Sequence, residues 1–194
     1  MAYKSEISFA KNKVETQKMI CEIVEEHLFY VSGRQFWADL PCRNFYIASL
    51  ATKLFGNKVR IKAFENKIYE EVRKSLEIIP SNVDYIKGDI LDSRNIKYSF
   101  VNGDFCSAYT EYLSNKIKAF ILQNEFTDKC VFVFNLVKQH GMSGIDYKEN
   151  GFQIEITKML YRKGFTKVKY KTVEYQNGTS AKSARMILSI FVVG

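Results

Sequence analysis

The chain has 194 residues, of which 46% are hydrophobic and 26% charged, a composition typical of a soluble globular protein. Its length predicts one domain over residues 1–194, with residues 1–34 as an N-terminal helical segment packed on it. The sequence has no signal-peptide core and no apolar run of bilayer length, which argues against a secreted or membrane protein. We therefore expect a cytoplasmic protein with no membrane partner, and the net charge of +8 favours anionic partners.

The four cysteines and two histidines are too widely spaced to form the ligand pairs of a zinc site. We therefore expect no metal and mostly buried, reduced thiols. The abundance of Lys, Ile, Asn, Phe and Tyr is typical of an AT-rich coding genome, such as that of a virus.

Hydrophobic periodicity divides the first half of the chain into alternating helices and strands. Apolar residues three and four positions apart predict a helix at 11–30, and short apolar runs bounded by turn residues predict strands. The elements that follow are a strand at 35–40, a helix at 44–54 capped by Asn44, a strand at 59–65, a helix at 66–79 and a strand at 83–87.

In the second half, a short connector at 90–97 leads into further strands and helices. These are a strand at 98–102, a helix capped by Ser107 and ending at 126, a strand at 129–137, a helix at 152–162 and strands at 166–175 and 184–193. A glycine-rich loop occupies 139–151, and Asn177-Gly178 predicts a hairpin turn between the last two strands. The hairpin places one antiparallel strand in an otherwise parallel sheet.

Acidic residues stand at the ends of four predicted strands: Asp39, Glu65, Asp89 and Asp104. In an open parallel sheet, ligands bind beyond the carboxyl ends of the strands, near the point where the strand order reverses. Carboxylates at that edge can accept hydrogen bonds from ribose hydroxyls, an adenine amine or a substrate amine. The pattern therefore predicts a nucleoside-type cofactor.

This order of elements, ending in a hairpin, resembles the class I S-adenosylmethionine-dependent methyltransferases over residues 11–194. The resemblance implies a Rossmann-like α/β three-layer sandwich. Its seven-stranded, mostly parallel sheet would have the order 3-2-1-4-5-7-6, with strand 7 antiparallel. It also implies S-adenosylmethionine as the cofactor.

The resemblance assigns roles to residues at the strand ends. Asp39 matches the acidic residue of the first motif, after which Pro41, Arg43 and Phe45 stand where the family has glycines. Glu65 matches the ribose-binding residue, Asp89 faces the adenine, and Asp104, after strand 4, faces the methyl group and the substrate. The cofactor-binding residues implied are Asp39, Pro41, Phe45, Glu65, Asp89 and Asp104, and Asp104 is also the implied catalytic residue. Either Phe45 or Tyr46, at the mouth of this site, could stack on adenine.

Each of these residues also has a structural interpretation. Asp39 can cap the next helix, Glu65 can interact with a helix dipole, and Asp89 and Asp104 can serve as turn residues. The loss of the three glycines favours a second hypothesis, a catalytically inactive methyltransferase-like protein that binds nucleic acid or a protein partner.

A basic cluster lies late in the sequence: Arg162, Lys163, Lys167, Lys169 and Lys171. These side chains could track the phosphates of RNA or DNA. Alternatively, the alternating lysines protect the exposed edge of the sheet, because strand 6 is the edge strand in the family topology. The leading hypothesis is a methyltransferase that acts on nucleic acid, with the substrate atom and oligomeric state left open.

Overall fold

The computed structural model describes residues 6–10, 13–40, 46–66, 69–75, 79, 81–137, 151–176 and 185–194. Within these ranges, no helix has both the length and the apolar character needed to cross a membrane. The predictions for Pro41, Phe45, the Asn44 cap, the loop at 139–150 and the Asn177-Gly178 turn lie outside the described residues.

Strands and helices alternate along most of the chain. The strands are β1 (Glu6–Ala10), β2 (Gln35–Asp39), β3 (Val59–Glu65), β4 (Val83–Lys87), β5 (Lys97–Ala108), β6 (Glu125–Val137), β7 (Val168–Gln176) and β8 (Arg185–Val193). The helices are α1 (Lys13–Leu28), α2 (Tyr46–Phe55), α3 (Tyr69–Ser75), α4 (Glu111–Gln123) and α5 (Gly151–Arg162).

The strands form one sheet in the order β1-β7-β8-β6-β5-β2-β3-β4. Strands β2 to β8 therefore lie in the predicted order 3-2-1-4-5-7-6, and β8 is antiparallel to both of its neighbours. The predicted Rossmann-like fold is confirmed.

An eighth strand extends the sheet beyond the predicted seven. β1 pairs in parallel with the second half of β7, with Glu6 opposite Lys171 and Ala10 opposite Tyr175. The prediction that β7 forms the sheet edge is therefore wrong over this half of the strand, and the predicted N-terminal helical segment includes a strand. Five residues of alternating polarity give too short a pattern to distinguish a strand from an irregular terminus.

The central strands differ from prediction in length. β5 continues to Ala108, opposite Val137, so α4 is capped by Thr110 rather than by Ser107. The Thr110 hydroxyl oxygen accepts a hydrogen bond from the Leu113 amide at 3.2 Å. The pairing with β6 is irregular between Asp104 and Ala108 and resumes at Ala108, so the strand extends past the expected turn.

Helices cover both faces of the sheet and produce the three layers. On one face, α1 and α2 bury apolar side chains against Trp37, Ile61 and Val133. On the other face, α4 and α5 pack against aromatic residues that include Phe132 and Phe134. Alternate residues of each strand therefore belong to different layers, and the face covered by α1 and α2 also carries the candidate site.

Gly103 lies between two site residues of β5 in a position with no room for a side chain. A Cβ atom there would lie 2.6 Å from the Phe105 ring and 3.2 Å from the Phe134 ring. These two rings stack with centroids 6.3 Å apart, which restricts their movement.

We expect Gly103→Ala to lower the free energy of unfolding by about 1–3 kcal/mol, because overpacking forces the neighbouring rings to shift. Urea denaturation measures the effect. Gly88→Ala is the matched control, since a Cβ on Gly88 meets no atom within 4 Å. Equal losses of stability in the two variants would contradict the crowded packing at Gly103.

Candidate functional site

Four polar residues lie side by side at the carboxyl ends of three central strands. Asp39 of β2 is opposite Asn102 of β5, and Asp104 of β5 is opposite Asn135 of β6. Asn102 and Asp104 are two residues apart, so both side chains lie on the face covered by α1 and α2. We call Asp39, Asn102, Asp104 and Asn135 the polar row.

Asp39 is a fully buried carboxyl group in the centre of the sheet. Its Oδ1 accepts a hydrogen bond from Asn102 Nδ2 at 2.7 Å, while its Oδ2 has no hydrogen-bond partner among the described residues. Burial, together with the nearby charge of Asp104, raises the pKa of Asp39 to about 7. The hydrogen bond from Asn102 and the charge of Lys13 act in the opposite direction but do not cancel this rise. Asp39 is therefore poised between its neutral and ionised forms near neutral pH.

Asp104 is held by two donors. Its Oδ1 accepts a hydrogen bond from Asn135 Nδ2 at 2.7 Å, and its Oδ2 forms an ion pair with Lys13 Nζ at 2.5 Å. The Asp104 side chain is only 8% exposed, so solvent screens this ion pair weakly. The sequence prediction placed Asp104 after its strand, whereas the residue lies within β5 because that strand continues to Ala108.

A small cavity adjoins Asp104. Its volume is about 20 Å³, and its lining includes Lys13, Gln17, Asn102, Asn135 and Tyr175. Asn135 Nδ2 also donates a hydrogen bond to the Tyr175 hydroxyl oxygen at 2.5 Å. Asn135 Oδ1, although buried, has no hydrogen-bond partner within the part of the chain that the structure describes.

Glu65 ends β3 on the same face of the sheet. Asp39 is opposite Ala63, so Glu65 lies two residues farther toward the open end of the strands. Its Oε1 accepts a hydrogen bond from the Asn66 amide at 2.9 Å. This position suits a ribose-binding carboxylate, which stays a prediction.

Asp89 performs the turn role that the sequence left open. Its Oδ1 accepts a hydrogen bond from the Leu91 amide at 2.9 Å, which caps the 3-10 helix Ile90–Asp92. Its Oδ2 forms an ion pair with Lys116 Nζ at 3.0 Å, and hydrogen bonding to Asp89 raises the pKa of Lys116. A contact between Asp89 and adenine would have to coexist with or replace these bonds.

The basic residues lie at the other end of the sheet from the polar row. Lys169 precedes Tyr175 by six residues of β7, a distance of about 20 Å at about 3.3 Å per residue. Arg162, Lys167 and Lys169 are exposed, whereas Lys163 is half-buried and its Nζ donates to the Leu122 carbonyl oxygen at 3.0 Å. Edge protection does not explain Lys171, because β1 covers that position.

An open cavity of about 430 Å³ lies beside this basic cluster, at the amino ends of β5 and β6. Its walls combine charged and aromatic side chains, which include Lys97, Asp128, Lys163, Phe126 and Phe165. This cavity is much larger than the one beside Asp104, and it is remote from the strand-end carboxylates.

No protein-family model and no curated protein sequence matches the chain. Among solved structures, Trm5b from Pyrococcus abyssi is similar, with 15% identity over 93% of this chain and a TM-score of 0.56. This chain spans only 48% of that protein.

Two further structures are matched over a larger share of their own length. A putative rRNA-methylase from Clostridium thermocellum has 13% identity, a TM-score of 0.56, and coverage of 95% of this chain and 97% of its own. TYW2 from M. jannaschii, solved in complex with AdoMet, has 13% identity, a TM-score of 0.55, and coverage of 93% and 75%. The chain has the class I methyltransferase fold.

Within this methyltransferase fold, β2 is the first strand of the family order and Asp39 is its last residue. The structure places Asp39 and Asp104 on the same face of the sheet, where Asn102 holds Asp39 and where Asn135 and Lys13 hold Asp104. Glu65 is the next carboxylate on this face, and Asp89 is tied to Lys116 instead.

Sequence reasoning missed four residues of the site: Lys13, Asn102, Asn135 and Tyr175. Asn135 offered a signal, since it is the one polar residue in the apolar run 130–137 and a buried amide needs partners. Lys13 offered none, because its partner Asp104 is 91 residues away in the chain.

Proposed function

We propose that this chain is an S-adenosylmethionine-dependent methyltransferase that acts on nucleic acid. The observation that carries the proposal is the polar row, which puts buried acceptor oxygens at the carboxyl ends of the central strands of a methyltransferase fold. Two of the similar structures, TYW2 and the magnesium protoporphyrin IX methyltransferase ChlM from Synechocystis, contain AdoMet or SAM.

The residues present fit this cofactor. Asp39 Oδ2 is a buried acceptor with no hydrogen-bond partner among the described residues, and such an atom is costly unless a ligand donor satisfies it. The ammonium group of the methionine portion is a donor of that kind. Glu65 can accept hydrogen bonds from both ribose hydroxyls. When bound, the cofactor supplies an electrophilic methyl group.

Asp104 acts on the other reactant. Its carboxylate is fixed by Asn135 and Lys13, so it is positioned to orient an incoming nucleophile and to accept a proton from it. The alignment of the two reactants supplies most of the catalysis, because methyl transfer needs few other groups from the protein.

Three features favour nucleic acid as the substrate. They are the net charge of +8, the exposed Arg162, Lys167 and Lys169, and the nearby cavity with Phe126 and Phe165, which offers rings for base stacking. A single strand of RNA or DNA that contacts both Lys169 and Asp104 would have to span about 20 Å along the β7 side of the sheet.

The inactive alternative also has support from specific observations. Asp104 forms an ion pair with Lys13, and Asp89 forms one with Lys116. Two of the predicted ligand-binding carboxylates therefore already have partners within the chain. In this alternative, the fold and the basic surface are retained for binding alone.

A transfer assay distinguishes the two functions. The protein is incubated with S-adenosylmethionine labelled at the methyl group, together with total RNA or with DNA, and label in the polymer is counted. The proposal predicts incorporation that depends on the protein and is lost when excess S-adenosylhomocysteine competes. Saturable nucleic-acid binding without incorporation into any polymer would favour the inactive alternative.

The basic cluster gives a prediction of its own. We expect Lys167→Gln, Lys169→Gln and Lys171→Gln together to weaken nucleic-acid binding and to reduce its salt dependence, because a protein that neutralises fewer phosphates releases fewer counterions. The slope of log K against log salt concentration should become shallower by about 0.7–0.9 for each phosphate that is no longer neutralised. Lys18→Gln, Lys53→Gln and Lys74→Gln, all at exposed helix positions, form the matched control. An unchanged slope would remove the cluster from the interface.

A further inference from the structure

Lys13 reaches into the candidate acceptor site from the first position of α1. Its Nζ lies 2.5 Å from Asp104 Oδ2, and its side chain is 28% exposed. The amine therefore ends beside the carboxylate that, in the proposed function, orients the nucleophile. It borders the same cavity as Asn135 and Asn102.

Several hydrogen-bond acceptor oxygens lie near this amine. Asp39 Oδ2 and Asn135 Oδ1 are both buried, and neither has a hydrogen-bond partner among the described residues. Asp104 Oδ2 accepts a hydrogen bond from Lys13 Nζ. Asn135 lines the cavity directly, and the Lys13 charge acts on Asp39. These acceptors suit a ligand with several N–H donors.

We infer that the Lys13 ammonium group lies where the substrate's reactive group binds, and that this reactive group is an amine. The inference rests on the proposed function for its reaction and adds the substrate class, a primary or exocyclic amino group. The Lys13 side chain must leave Asp104 before the substrate enters, because the lysine ammonium group and the substrate amine cannot occupy the same position beside Asp104 Oδ2.

The chemistry balances with the residues present. The amine nitrogen forms the new bond to the methyl carbon as the sulfonium carbon–sulfur bond breaks, and that electron pair stays on sulfur as a thioether. One N–H proton passes to Asp104 Oδ2. Departure of Lys13 removes a positive charge from Asp104, which leaves the carboxylate available to accept the proton.

The binding test uses propylammonium, which replaces the three carbons and the nitrogen that Lys13→Ala removes. The variant and the wild-type protein are titrated with propylammonium chloride, and the midpoint of thermal unfolding is followed. We expect Lys13→Ala to bind propylammonium at least about tenfold more tightly than wild type, because a charge-assisted hydrogen bond contributes that much. Lys18→Ala, an exposed lysine of the same helix, should respond as wild type does.

A second measurement needs no substitution. Hydrogen exchange of the wild-type chain is compared in propylammonium chloride and in sodium chloride of the same concentration. We expect propylammonium to speed exchange selectively at the first hydrogen-bonded amides of α1, from Gln17 onward, because loss of the Lys13 contact loosens the start of the helix. If Lys13→Ala binds propylammonium no better than Lys18→Ala does, or if the two salts give equal exchange, the inference is overturned. Neither readout uses the cofactor, so failure here is distinct from failure to bind S-adenosylmethionine.

Discussion

Asp39→Asn is expected to make the protein more resistant to unfolding at pH 8 than wild type, and the advantage should shrink at pH 5. The cause is the buried carboxyl group, whose pKa of about 7 in the folded protein lies well above the value near 3.9 of an unfolded chain. Between these two values the folded state holds a proton that the unfolded state releases. Stability therefore falls as pH rises from about 4 through 7.

The asparagine variant lacks this titration but keeps the acceptor oxygen for Asn102. Between pH 5 and pH 8, the variant should gain on the order of 2 kcal/mol of unfolding free energy relative to wild type, since each pKa unit is worth about 1.4 kcal/mol. Urea denaturation at the two pH values measures the difference. Asp128→Asn, at an exposed position, is the matched control and should show no such change. A difference between Asp39→Asn and wild type that is independent of pH would contradict the raised pKa.

Asp104→Asn is expected to reduce methyl transfer by about a hundredfold or more, because a positioned proton acceptor contributes a factor of that order. The variant keeps an oxygen for Asn135 but presents an amide N–H to Lys13, so the ion pair is lost. The fall should be larger in kcat than in the KM for S-adenosylmethionine, because Asp104 acts on the nucleophile.

Transfer rates on whichever polymer accepts label provide the measurement. Asp92→Asn is the matched control, since Asp92 also pairs with a lysine but lies 3.2 Å from Lys116, away from the polar row. The control should retain the wild-type rate. If Asp104→Asn transferred methyl groups within twofold of wild type, Asp104 would have no catalytic role.

Local pattern was sufficient for much of the fold. The bounds of β3 and β4 agree with the apolar runs at 59–65 and 83–87. The last two strands, β7 and β8, also lie within one or two residues of their predicted bounds. β1 escaped prediction because it is stabilised by β7, whose pairing residues begin at Lys171. Among the described strands, β7 is the one that pairs with this strand of five residues.

The candidate site was predictable only in part. Acidic residues at strand ends are visible in the sequence, but the contact between Asp39 and Asn102 depends on the register of strands separated by 63 residues. The ion pair of Lys13 with Asp104 depends on where α1 crosses the sheet. No local pattern encodes that crossing, and so the sequence predicted carboxylates without the cations and amides that hold them.

Calorimetric titration with S-adenosylmethionine, repeated with S-adenosylhomocysteine, measures whether this chain binds a methyl donor. We expect saturable binding of both ligands and a several-fold weaker affinity in Glu65→Ala, with Glu22→Ala, an exposed position on α1, as the matched control. We also expect proton release when binding occurs at pH 7, because an ammonium group beside Asp39 favours the ionised carboxylate. Absence of binding at millimolar ligand would show that the chain is not an S-adenosylmethionine-dependent enzyme.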